Sequence, residues 1–414
     1  MGNFNKLPVN LISNILTRLP TESVLDCKLV SKSWNNVISR QQFSQSHLNH
    51  CLNNLRSAGA SGGKSTFLFL NENPLDAYRQ FHYFEYAENS SSEEQPFHKI
   101  TRMKLNPAPF KYYSVVGSCN GLVCLNGCHD NEGKNYEPVY ICNPITRECV
   151  FLPEFERTHD RGERLLTGFG YDSETNEYKV VRLYKLLKEP NFLHAEVYTL
   201  GSGKGWRKII QKFEADLDSF ISIHGMLMSE LEFLCWQLKT GKLLAFVLSS
   251  EVIAEIPTNS STTWGYKLGV FGSCLSGTYY DEDSDTYEIV VLKRLRENGV
   301  VFKWIEEFSL SDTDAHEWLG LTCRRALLCY SETKVLIQDL NSVSSELLVD
   351  FGKDKEIFQA VPHMNTLVSL KALGEENTNT METADIPREV LEEYKSQFEK
   401  QQMVMGLLEM CVQQ

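Results

Sequence analysis

Residues 7–50, LPVNLISNILTRLPTESVLDCKLVSKSWNNVISRQQFSQSHLNH, decide how the rest of the chain is organised. Proline at a first helical position loses no hydrogen bond and has its φ already set, so a helix is expected from Pro8 to the next proline, Pro20. Val9, Ile12 and Leu16 fall on one side of it and Leu11, Ile15 and Leu19 on the adjacent side, a stripe wider than one small core can use. Thr21 is expected to cap a second helix carrying Val24, Leu25 and Leu29. Ser31 should cap a third with Trp34, Val37 and Ile38, and Phe43, His47 and His50 recur at helical spacing beyond it. A piece of under about 50 residues rarely buries enough apolar surface to stand alone, so the surplus implies a protein partner.

The order LP, helix, LP, helix, VSKSW resembles the F-box, the motif by which substrate receptors attach to the Skp-type adaptor of cullin-RING ubiquitin ligases. The resemblance implies that Leu7, Pro8, Leu11, Ile15, Leu16, Leu19, Pro20, Leu25, Val30 and Trp34 lie in or just behind the adaptor interface. Each fully buried Leu or Ile there contributes roughly 1.5 to 3 kcal/mol by area. Asn10 stands where that family has an acidic residue, and Arg40-Gln41 replace its Asp-Pro; both departures are polar and peripheral.

At 414 residues, 42% apolar and 11% aromatic, the chain is long enough for two units. A net charge of −13 argues against a general nucleic-acid surface. Residues 1–50 hold five Lys or Arg against two acids, a net +3, so the remainder carries −16, a balance that suits a basic protein partner better than a polyanion. No stretch approaches the roughly 18 apolar residues of a membrane helix, and the N-terminus lacks a signal-peptide run, so no membrane is expected and the chain is placed in the cytoplasm or nucleus. The twelve cysteines then read as reduced core residues.

Residues 51–65, ending in SAGASGGKS, read as a hinge. The glycines of 59–65 are one residue short of the phosphate-loop spacing and lead into a strand instead of the helix whose amides would face an anion, so a linker is the better reading. From Lys64 onward short period-two strands alternate with Gly, Pro, Asn and Asp. Five hairpin-like units align: 139–142 with 149–153, 195–200 with 206–209, 243–248 with 252–257, 287–293 with 300–308, and 334–339 with 346–351. Their starts lie about 45 to 55 residues apart, the spacing of propeller blades, and a further strand precedes each. Segments 67–86 and 361–370 remain at opposite ends and are expected to share a closing blade, which makes about six.

GSCNGLVCL, NPITRECVFLP, GFGYDSETNEYKVV, EVYTLGSGKGWRKI and LLAFVLSSEVIAEIP, in that order over 115–308, resemble the plant F-box-associated domain. The resemblance implies a kelch-like β-propeller that holds the substrate, with relatives in the S-locus group that recognise basic ribonucleases. The chain departs from the pattern at Met228-Ser229 and at Val290, where Trp is usual.

Candidate chemistry is sparse. Cys119, Cys124, Cys128 and His129 crowd one segment, but at a spacing irregular for zinc. Asp281-Glu-Asp-Ser-Asp285 has Thr286 and Leu292 where a calcium loop needs Gly and Glu, and reads as an acidic turn, as does 172–177. Gly201–Gly205 lies between strands, wrong for a dinucleotide site. No catalytic residue, metal or cofactor is assigned, and the substrate-binding residues stay unknown. A propeller enzyme or metal-binding protein with a helical arm is the reading from another class. Pro387 starts an expected amphipathic helix with Leu391, Tyr394, Phe398, Gln401, Met405, Leu408 and Val412 in its seam, suited to self-association or internal docking.

The reading is therefore mainly β with an N-terminal all-α block. A three-helix F-box motif occupies 1–50 and a hinge 51–65. A β-propeller of about six blades covers 66–372, and 373–414 form a linker and C-terminal helix. The expected function is a substrate-recognition subunit of a Skp-cullin-F-box ubiquitin ligase, not an enzyme itself, with adaptor, cullin-RING ligase and a protein substrate as partners.

Overall fold

The computed structural model describes residues 8–58, 64–73, 76–88, 97–103, 112–128, 138–153, 161–211, 213–215, 220, 224–228, 233–256, 267–271, 274–295, 301–311, 317–322, 326–340, 344–353 and 355–381. The chain begins with α1 (Val9–Thr17), α2 (Thr21–Val30), α3 (Lys32–Ile38) and α4 (Gln41–Ala58). Pro8 and Pro20 are the N-caps of α1 and α2, each at a φ near −55° that leads into the helix. Thr21 is thus not the cap expected of it but the first residue of α2. Ser31 does cap α3, accepting from the Trp34 amide at 3.2 Å. The block has four helices instead of three, and the expected hinge shrinks: 51–58 complete α4, Lys64 and Ser65 open the first strand, and 59–63 lie outside the described residues.

Among the described residues six antiparallel meanders follow. The first takes β1 (Lys64–Asn73), β2 (Asp76–Ala87) and β3 (Phe97–Met103). Next come β4 (Tyr112–Cys119), β5 (Leu122–Cys128), β6 (Val139–Asn143) and β7 (Glu148–Phe151), then β8 (Arg161–Asp172), β9 (Glu177–Leu186), β10 (Glu189–Thr199), β11 (Trp206–Lys208) and β12 (Phe213–Glu214). The fourth holds β13 (His224–Met228), β14 (Phe233–Gln237), β15 (Leu243–Val247) and β16 (Val252–Ile256). The fifth holds β17 (Lys267–Phe271), β18 (Cys274–Asp281), β19 (Thr286–Leu295) and β20 (Val301–Ser311). The sixth holds β21 (Glu317–Leu321), β22 (Ala326–Ser331), β23 (Lys334–Asp339) and β24 (Ser345–Asp350). A brief parallel pairing of His224 with Thr167 and Gly225 with Gly168 joins the third and fourth meanders into one hydrogen-bonded sheet.

Closure comes from β25 (Glu356–Pro362), which pairs antiparallel with β1 from Phe67↔Pro362 to Glu72↔Glu356. The first and last strands do share a blade, as expected, although the closing strand ends at Pro362 and 363–369 runs on outside any helix or strand. Period-two alternation turns each middle strand into a wall between two cores. Leu68 and Leu70 face blade two with Val123, Leu125 and Tyr140, while Phe67 and Phe69 face blade six with Leu328 and Val335. Equivalent cores separate every other pair of neighbours. Val290, standing where a Trp was expected, is buried against Trp304 in the core between blades four and five.

Phe69 is fully buried at the closing seam, its ring 5.6 Å from Phe84 and 6.0 Å from Tyr330. Phe69→Ala should cost about 3–5 kcal/mol through lost burial and the cavity left behind, read as a lowered calorimetric midpoint of the whole propeller.

Candidate functional site

Two surfaces carry the interest of this fold: the outer side of the helical block, and the joint between block and propeller. Ile12 and Leu16 of α1 turn inward onto Val24, Val37, Ile38 and Phe43, and Leu19, Leu25 and Trp34 pack partly buried against that cluster. The rest of the stripe faces out: Leu11 is 52% exposed and Ile15 49%, with Val9 at 45%. From α2, Leu29 is 87% and Val30 64% exposed. Pro8 and Pro20 are exposed and Leu7 lies outside the described residues.

Of the residues anticipated at the adaptor surface, Leu11, Ile15 and Val30 are therefore free apolar side chains. Leu16 is buried, so it acts from within the block and not at its surface. Leu19, Leu25 and Trp34 are half-way cases that support the exposed layer. Val9 and Leu29 were missed, although their place in the same helical stripes was the available signal.

The joint is built mostly by 363–381, which the sequence left divided between a closing strand and a linker. His363 is buried, with Nδ1 2.7 Å from Ser118 Oγ and Nε2 3.2 Å from Asn365 Oδ1, and its amide donates to Thr66 O. Tyr83 meets its ring edge-on at 6.1 Å. Asn365 donates to Glu22 Oε1 at 2.6 Å and accepts on its carbonyl from Thr21 Oγ1 at 2.8 Å, the contact that draws this hydroxyl away from helix capping. Ser44 Oγ of α4 donates to Leu367 O at 2.7 Å, and the Leu367 side chain completes the core of the helical block. Leu48 of α4 reaches the other way, into the core between blades two and three. Burial depresses the Lys28 ammonium of α2, opposed by the Glu148 carboxylate of β7. His47, buried in α4, meets Leu19 O at 2.9 Å, and burial lowers its pKa.

Residues 373–381 belong to the propeller, not to a linker. Glu375 accepts from Tyr198 OH and the Gly201 amide, both at 2.7 Å, and β26 (Asn379–Thr380) adds to the edge of β7. The expected tail helix lies outside the described residues.

Of the chemistry-bearing motifs, the described residues take up packing and turn positions. Burial pushes the Cys119 thiol up to about 12, and Cys124 is raised further among apolar neighbours, an environment that disfavours the thiolate a metal needs. The Cys128 side chain and His129 lie outside the described residues. Among the described residues no group of three or more His, Cys, Asp or Glu is placed to hold a metal, and no helix is long and apolar enough to cross a membrane. The acidic stretch 281–285 forms the β18–β19 turn, with Asp281 accepting from Ser284 Oγ at 2.7 Å. Buried Asp172 accepts from Thr175 in the β8–β9 turn and faces Lys179 Nζ at 3.7 Å; that ammonium also reaches Leu248 O and Glu251, tying blade three to blade four.

Two family models match the chain. One is the F-box domain, over residues 4–46, and the other the F-box associated beta propeller domain, over 66–299. Among curated relatives, F-box protein At3g07870 of Arabidopsis thaliana is 30% identical over 184 residues, covering 44% of this chain and 38% of the relative. Putative F-box protein At1g53550 of the same plant is 26% identical, covering 73% and 70%. The F-box/kelch-repeat protein At3g23880 is 29% identical, covering 43% and 45%. The chain spans only 38% of At3g07870 and 48% of a further relative, putative F-box protein At3g23960 of Arabidopsis thaliana. A putative 6-phosphogluconolactonase of Bacteroides fragilis superposes with a TM-score of 0.31 at 10% identity, over 73% of this chain and 96% of that one.

Two outcomes test the geometry. Leu16→Ala should cost about 2–5 kcal/mol of stability, whereas Leu11→Ser should stay within about 0.5 kcal/mol, both by denaturant titration. Burial lowers His363 and His82 to about 4, His82 also feeling Lys355 and Arg102. Their folded pKa values lie below the unfolded one, so the unfolded chain binds more protons as pH falls. Stability should be intact above about 6.5 and decline toward pH 4, and His363→Asn should shrink that decline without abolishing it.

Proposed function

The chain belongs to the family of F-box proteins that carry an F-box associated beta propeller domain, and from that membership we propose that it is the substrate receptor of a Skp-cullin-F-box ubiquitin ligase. The helical block binds the Skp-type adaptor, the propeller holds a protein client, and the client is ubiquitinated and degraded in the cytoplasm or nucleus. The observation that carries the reading is the exposed apolar set Val9, Leu11, Ile15, Leu29 and Val30 on a block whose own core is already filled. Side chains of this kind gain roughly 1.5 to 3 kcal/mol each when a partner covers them.

The receptor needs no reaction of its own. Holding the client beside a charged ubiquitin carrier raises the effective concentration of the two groups, which is a geometric contribution. In an antiparallel meander the turns alternate between the two faces of the propeller. Residues 363–381 touch the β4–β5, β6–β7 and β10–β11 turns, which share one face with the helical block. The opposite face, with the β9–β10, β14–β15 and β18–β19 turns and the exposed Leu187, Tyr279 and Tyr280, is the one we assign to the client.

Capture of a recombinant Skp-type adaptor by the full chain tests the assignment. Leu11→Ser/Ile15→Ser/Leu29→Ser together should weaken capture by about a hundredfold or more while the thermal midpoint holds. Undiminished adaptor binding by the triple variant would remove this surface from the interface.

A further inference from the structure

Segment 363–381 lies outside both matched family regions, 4–46 and 66–299, yet it contacts both bodies they describe. Its first part, 363–369, which forms neither helix nor strand, shows how. Successive carbonyls from 365 to 368 go alternately to two partners, the helical block and the propeller. The carbonyls of Asn365 and Leu367 accept from Thr21 and Ser44 of the helical block. Those of Thr366 and Val368 accept from Asn143 Nδ2 of the propeller, at 3.1 and 2.7 Å. The side chains divide in the same way: Leu367 enters the helical core and Val368 the core between blades two and three.

The propeller residues that meet this segment lie within the sequence motifs of the domain. Asn143 Oδ1 holds the β6–β7 turn by accepting from the Ile145 and Thr146 amides, which leaves its amide group to face 363–381. Gly121, at φ +87°, lets the β4–β5 turn come so near Thr366 that a Cβ would lie 2.1 Å from its Oγ1. Gly201, at φ +71°, does the same beside Leu373, where a Cβ would fall 1.8 Å from the carbonyl oxygen. Neither glycine tolerates a side chain with the segment in place.

We propose that residues 363–381 are an orienting strap that fixes the helical block at one angle on the propeller, seated by Gly121, Asn143 and Gly201. On the ligase reading above, this joint sets the distance across which ubiquitin must travel from carrier to client, so the strap is a positioning element for the transfer.

The test measures that angle directly in the full chain, without adaptor or client. Paired spin labels on noncanonical amino acids at Asn36 and Lys239, both exposed, report the separation of block and propeller. The otherwise unaltered chain should give one narrow distance distribution. Asn143→Asp keeps the Oδ1 that the turn uses and removes the donors to the strap. Thr21→Val/Ser44→Ala removes the two donors on the helical side. Each should lose the single distance while circular dichroism retains the helical and strand signals. A broad distribution in the unaltered chain overturns the proposal, as does the same narrow distance in both variants. Adaptor capture is scored separately: a chain that is narrow but captures no adaptor refutes the ligase reading and leaves the strap, and a chain that captures adaptor but is broad refutes the strap alone.

Discussion

Pairing of β25 with β1 is the interaction on which the remaining architecture depends. It turns an open row of blades into a ring, gives the inner edge of β1 a partner, and brings Phe67, Phe69 and Ile357 against Leu319 and Leu328 of blade six. It also delivers the chain at Pro362 to the underside of the helical block. Without that closure, 363–381 would have no reason to lie between the block and the β4–β5 turn, and the joint would lose most of its hydrogen bonds.

The ring in turn explains why the domain is written in short motifs. A middle strand such as β9 is buried along nearly its whole length because its two faces serve two cores, Val180 toward blade two and Val181 and Leu183 toward blade four. Such strands read as brief apolar runs, so the distinctive residues collect at turns. There they do specific tasks: Lys179 bridges to blade four, Asn143 holds a turn and receives the strap, and Gly121 and Gly201 admit a close backbone. These are tertiary duties, and conformational propensity alone would not place them.

Much of this was legible from residue order. The blade spacing led to six blades and to a closure that joins the two ends, and Ser31 announced its cap. Thr21 was misread because its hydroxyl bonds a carbonyl 344 residues away, a partner no local rule can supply. The hinge was misread because the glycines of 59–63 suggested an early break, whereas Leu48 holds α4 on the propeller and the helix runs on to Ala58. The strap was the least legible element. Irregular chain that bonds alternately to two bodies has no periodic apolar signature, so its buried halves, Leu367 and Val368, look like the end of a strand.

On α1, periodicity revealed two apolar stripes but could not say which was internal, since both are equally hydrophobic. The deciding factor lies outside the helix. Leu367 enters from the strap to complete the cluster around Ile12 and Leu16, so the block's core is full before Leu11 and Ile15 are considered. A block of this size is too small to be stable by itself, and here the propeller meets that deficit through Leu367 below, while Leu48 ties α4 to the blade cores. The side chains still exposed on α1 and α2 are thus not a shortfall in packing that the chain failed to cover. They are apolar surface left over after internal needs are met, which is the physical condition for a binding face that stays available once the chain has folded.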